Sequence, residues 1–267
     1  MRMPSIRPLV SSLLVAVCIA PGLANAMTVD KTVNVNVYQL CTDDGSACAS
    51  QGPLGNQYYF TETNKIWAQA GISVTFTFIE QIKSSAFYDI SGTAGDKFDD
   101  LYNFKFGAGT AGTVLNRVDM FLVNDYANAY GVGYSGAGGL LMSMSSITAF
   151  NCAGAAGCTG RVDTLAHELG HNFGLVPESF ADYDPNPNDA GHSIGTNTLM
   201  ASGARRMVPT TAADIAPSGL GLDLLPQTHI ELARQSTLLS PIPEPSSWAM
   251  FALGLMGLGV FVRRRQA

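Results

Sequence analysis

The chain has 267 residues, 46% of them hydrophobic and only 13% charged, enough for one sizeable core with little ionic surface. Its formal net charge is −6. An acidic balance argues against nucleic acid and against anionic membrane surfaces as partners.

Residues 1–26 open with Arg2 and Arg7, continue with an apolar run from Leu9 to Ala20, and close on Ala24-Asn25-Ala26. A basic start, a short apolar middle and a small-x-small exit predict a secretory signal peptide cut after Ala26. The run is short for a membrane span. Thr28 to Leu40 then alternates Val29, Val33, Val35 and Val37 with polar residues, the period of a strand. Tyr59 to Ala70 has the apolar spacing of a helix, with Gly71 as its stop. Ile72 to Ile79 alternates strictly and predicts a second strand. Residues 84–116 carry no clear period. Val118 to Val123 is the continuous apolar run of a buried strand. Gly131 to Gly139 contains five glycines and reads as a loop, and Leu140 to Ile147 as a further strand.

Cys18 leaves with the signal peptide, so four cysteines remain in an exported chain. An even number in that compartment predicts disulfides. The simplest of the three connectivities is local, Cys41 with Cys48 and Cys152 with Cys158. Intervals of six and five residues fit a four-cysteine metal site poorly. With no repeats and no long linker, the chain predicts a single α+β domain over 27–242.

Val162 to Phe173 follows as a helix. At 100° per residue, Val162, Leu165, Ala166, Leu169 and Phe173 form one apolar arc, and Thr164, His167, Glu168 and His171 lie opposite. His167 and His171 are one turn apart, so both imidazoles can reach one metal ion. Glu168 stands beside them, within reach of a water on that ion. A solvated polar face would explain one histidine. It does not explain two of the chain's four at this spacing, with Glu between them. Gly174, three residues on, would end the helix in the left-handed region.

The run His167-Glu-Leu-Gly-His171-Asn-Phe-Gly174, followed by Asn197-Thr-Leu-Met200-Ala-Ser-Gly203, resembles the metzincin zinc peptidases, with Met200 as the methionine of their Met-turn. The resemblance implies a twisted mixed sheet with a backing helix, an active-site helix, a C-terminal helix and one catalytic zinc. It implies peptide hydrolysis with Glu168 as general base. It also implies that the strand before the active helix, near Leu140–Ile147, is the edge that pairs with substrate. The chain departs from the pattern where the third histidine should stand, which is Pro177. His192 is the only histidine between Gly174 and Met200, and we expect it to close the site after an inserted loop. Glu178, Asp182, Asp184 and Asp189 in the same loop remain alternatives. A gluzincin-like arrangement with Glu231 is another, and His229 lies too far beyond the turn to suit. The loop's Asp and Asn residues could instead hold calcium, although two prolines and no Glu at a fixed offset speak against it.

Pro243-Glu244-Pro245, an apolar stretch from Trp248 to Val262 and then Arg263 to Arg265 make a three-part tail. It resembles the PEP-CTERM sorting signal of Gram-negative bacteria. That implies recognition by an exosortase, transient membrane anchoring and delivery to the outer surface or extracellular matrix. A plain C-terminal anchor would need no Pro-Glu-Pro. Without both ends the chain keeps 10 basic and 20 acidic residues, a net charge of −10. The expected protein is an exported zinc endopeptidase. The rival is a non-catalytic, zinc-binding matrix or adhesion protein on a protease-like fold.

Overall fold

The computed structural model describes residues 27–91, 97–113, 117–127, 129–152, 158–175, 192–203 and 205–242. The expected signal peptide, 1–26, and the tail from 243 fall outside them. In chain order the elements are β1 (Lys31–Cys41), α1 (Phe60–Ala68), β2 (Ile72–Lys83), α2 (Ser85–Tyr88), β3 (Asp89–Ile90), α3 (Lys97–Phe106), β4 (Val118–Val123), β5 (Asp125–Tyr126), β6 (Gly131–Gly133), β7 (Gly139–Ser143), α4 (Met144–Ala149), α5 (Thr164–Asn172), α6 (Gln227–Ala233) and β8 (Ser240–Pro241).

The main sheet runs β2-β1-β4-β7-β6, and β8 pairs with the start of β1. The first four strands are parallel, while β6 and β8 are antiparallel to their partners, so the sheet is mixed. Val118, Met120 and Leu122 of β4 face one core with Val33, Val35 and Val37 of β1. Phe121 and Val123 face a second core with Tyr38 and Leu40. Both faces of β4 are therefore covered, which is why its sequence does not alternate. α1 and α5 pack on the first face, where Trp67 meets Phe173 edge-on at 4.7 Å between centroids. α3 covers the second face with Phe98, Leu101 and Tyr102. The expected α+β class holds, as do the two local disulfides, Cys41–Cys48 and Cys152–Cys158.

Three expectations change. Leu140–Ile147 is not one strand: β7 ends at Ser143, level with the last residue of β4. Beyond it the backbone has no ladder partner, and residues 144–149 close their own hydrogen bonds as α4. The Gly131–Gly139 stretch is not all loop, because Gly131–Gly133 pairs with Leu140–Met142. It follows that β7 is interior and β6 is the edge beside α5. Glycine is required there: a Cβ on Gly133 would lie 2.7 Å from the Glu168 carbonyl oxygen. Gly71 ends α1 as expected, with φ +66°.

Asp119 is the one acidic residue of β4 and is fully buried. It accepts hydrogen bonds from Tyr102 Oη (2.9 Å), Arg117 Nε (2.9 Å) and Asn36 Nδ2 (3.1 Å). Burial, and then the Asp119 charge, push the Tyr38 phenol up to about 12. Among the described residues no helix is long and apolar enough to cross a membrane. Replacing Asp119 with Ala removes the buried acceptor shared by Tyr102, Asn36 and the exposed Arg117 and should cost ~3 kcal/mol. Thermal unfolding should show a midpoint lower by roughly 6–12 °C.

Candidate metal centre

α5 delivers His167, Glu168 and His171 from one helix, and His192 opens the next described segment, 192–203. One ring nitrogen from each histidine lies within 4.8 Å of the others. Ring centroids are 5.0 Å apart for His167–His171, 5.1 Å for His167–His192 and 5.6 Å for His171–His192. The Nε2 atoms of His167 and His192 are 3.2 Å apart. Two imidazole nitrogens on one tetrahedral zinc sit at ~3.3 Å, so this spacing fits shared ligation.

A carbonyl oxygen can only accept, so His171 Nδ1–H donates to Leu175 O (3.2 Å), which leaves its Nε2 as the lone-pair nitrogen, the arrangement that orients metal-binding histidines. His167 Nδ1 lies 2.7 Å from Leu199 O, and Arg206 Nη1, a donor only, lies 2.5 Å from that same nitrogen and also bonds Leu199 O. Burial first, then Arg206, holds the His167 imidazole well below the usual histidine range. Burial first, then His192, lowers His171 to about 4. Neutral imidazoles are the form a metal binds. The donor set and its geometry therefore suit a zinc-sized ion.

The turn at 197–203 supports α5 from below. Met200 is fully buried, and a Cβ on Gly170 would lie 2.4 Å from its Sδ. Gly170, between the two helix histidines, thus admits the methionine. Gly174 has φ +88° and ends the helix region as expected, and Leu175 then turns back to His171. Glu178, Asp182, Asp184, Asp189 and Pro177 lie outside the described residues, as does any calcium site in that loop. His229 is buried on α6 and Glu231 bonds Gln227 Nε2 at 2.9 Å; neither joins the histidine cluster.

The polar side of α5 is not a solvent face. Thr164, His167 and Glu168 are all buried, because β6 and Arg206 cover them. Glu168 lies under the edge strand, where a Cβ on Gly131 would meet its Cγ at 2.9 Å. Burial pushes the Glu168 carboxyl up to about 8, against the pull of Arg206 and Arg161. Two cavities flank the triad. One of about 260 Å³ runs along Gly131–Gly133 past Glu168 and the three histidines. The other, of about 220 Å³, is lined by Tyr130, Arg161, Thr164, His167, Glu168 and Arg206, among others.

A buried charge cluster that sequence reasoning missed stands behind the second cavity. Arg206 Nη2 is 2.9 Å from Asp163 Oδ2, Arg206 Nε is 3.7 Å from Asp223 Oδ1, and Arg161 Nε donates to Asp163 Oδ1 at 3.2 Å. No spacing joins residues 161, 163, 206 and 223. The only signal was scarcity, since a chain 13% charged places four charges in one core.

Residues 241–265 match the PEP-CTERM protein-sorting motif. The chain therefore carries this signal at its C-terminus, which implies recognition by an exosortase and an exported, surface-sorted protein. No curated protein matches the chain. Among solved structures it is similar to one described as a chaperone-substrate complex, at 12% identity and TM-score 0.43, over 79% of this chain and 35% of that one. It is also similar to one described as the GM1 bound form of the ECX AB5 holotoxin, at 15% identity and TM-score 0.34, over 78% of this chain and 81% of that one. The chain thus spans about a third of the first of these.

The raised Glu168 carboxyl has a consequence for metal-free protein. Its folded value, about 8, exceeds the unfolded value near 4.5, so the unfolded state binds fewer protons between them and stability falls as pH rises through that window. The lowered histidines act oppositely, losing stability as pH falls below the ordinary histidine range. In chelator-treated protein, Glu168→Gln should flatten the fall in melting temperature between about pH 5 and 8 relative to wild type. Parallel curves would refute the buried, protonated carboxyl.

Proposed function

We propose that the protein is an exported, metzincin-like zinc endopeptidase. One observation carries the reading: Glu168 sits on the same buried helix face as His167 and beside His171, with His192 brought to them from a later segment of the chain. A purely structural zinc site needs no such carboxylate.

His167, His171 and His192 would hold the ion through Nε2, oriented by the carbonyls of Leu199 and Leu175. Zinc there would supply Lewis acidity to a scissile carbonyl and acidify a water. Glu168 takes the proton of the attacking water and passes it to the leaving amine. Burial raises its proton affinity in metal-free protein, and a cation held by the neighbouring histidines would favour the ionised form that a base needs. β6, rather than β7, is the strand placed to pair with an extended substrate, since among the described residues nothing pairs with its outer edge. The sorting motif would bring this activity to the outer surface or extracellular matrix, with the apolar tail as a transient membrane anchor.

Zinc content and hydrolysis of casein and gelatin test the reading together. Wild type should bind one zinc and cleave. Glu168→Gln should keep the zinc and lose roughly 10²–10⁴-fold in rate. An active E168Q enzyme would remove Glu168 from its role. Zinc-loaded wild type that cleaves nothing would favour the non-catalytic matrix protein. His192→Ala should lose its zinc on dialysis, and full retention would move the third ligand to Glu178, Asp182, Asp184 or Asp189.

A further inference from the structure

Arg161 is 4% exposed yet lines the cavity of about 220 Å³ that His167, Glu168 and His192 share. Its guanidinium is held from two sides. Nε donates to Asp163, and Cζ lies over the Tyr130 ring, 4.5 Å from the centroid. Phe150 adds a second aromatic contact at 5.5 Å. Nη1 and Nη2 make no hydrogen bond among the described residues. They point at Gly203, where an added Cβ would lie 3.1 Å from Nη1 and 3.2 Å from Nη2. The missing side chain at Gly203 makes room for the guanidinium, and both residues line the cavity wall. The arrangement is an immobilised, pre-oriented donor pair beside the reacting centre, and its complement is a planar acceptor with two oxygens. The surrounding charge favours the same ligand. Burial first, then Asp163, pushes the Asp223 carboxyl up to about 8, which leaves less negative charge to offset Arg161 and Arg206 at neutral pH.

We propose that Arg161 is a specificity-determining residue whose Nη1 and Nη2 bind a substrate carboxylate next to the scissile bond. The carboxylate is either an Asp or Glu side chain or the C-terminal carboxylate of the substrate. The proposal rests on the peptidase reading and narrows its substrate class to acidic peptides. Hydrophobic pockets discriminate by size, whereas a site built around buried donors rejects a ligand that cannot satisfy them.

The test pairs peptides that differ only in Asp against Asn, or Glu against Gln, flanking the cleaved bond, each with a free and an amidated C-terminus. Zinc-loaded wild type should favour the acidic member by about tenfold or more in kcat/KM. Arg161→Met should bring the ratio toward one while bound zinc stays at the wild-type level. Arg161→Lys, which keeps the charge without the fork, should retain a weaker preference. Preference in amidated peptides identifies the side chain as the source, and cleavage confined to free C-termini identifies the terminal carboxylate. A wild-type ratio near one in both series, or an undiminished ratio in R161M, overturns the proposal. If wild type cleaves no peptide, the peptidase reading fails separately. Calorimetric binding of the same peptides then decides: tighter binding of acidic peptides, lost in R161M, upholds the carboxylate site, and equal binding overturns it.

Discussion

The site depends on the contact between α5 and the turn at 197–203. Leu199 offers its carbonyl to His167, Met200 fills the space left by Gly170, and Arg206 reaches back to Asp163 at the head of the helix. Each bond alone is modest. Together they set the height and rotation of a helix that would otherwise present two flexible imidazoles. Asp163 illustrates the priority. It occupies the helix N-cap position but makes no capping bond, because both of its oxygens face arginines.

A second constraint acts from above. β6 lies across the polar side of α5, and only glycine at 131 and 133 lets the backbone approach so closely. The approach does two things at once. It removes Glu168 from water, which raises its proton affinity, and it leaves an unpaired strand edge beside the histidines. Burial of the base and exposure of a pairing edge thus have one cause, and the glycine-rich stretch is the sequence expression of it.

The elements most legible in the sequence were those whose environment is simple. α1 and the first half of β1 show their periods because each leaves one side open, with Asn34 exposed between Val33 and Val35, and β4 shows none because it is buried on both faces. The ends of β7 and the existence of β6 were illegible, because both are decided by where a partner strand stops or begins. α5 was legible as a helix but not in its cover. Its polar arc has the pattern of a solvated face, and only the elements laid over it make that arc the floor of a cleft.

By itself, the sequence determined the sorting motif at the C-terminus, the local disulfides, the helix bearing His167, Glu168 and His171, and the glycine that terminates it. All are short-range matters, set by spacings of a few residues or by composition. Tertiary structure alone decided that His192 comes to His167, that Leu199 O and Arg206 meet its Nδ1, and that Arg161 reaches the wall of the adjoining cavity. Those relations join residues tens of positions apart in sequence. They follow from which surfaces the sheet and helices bury against one another, and no local period records that.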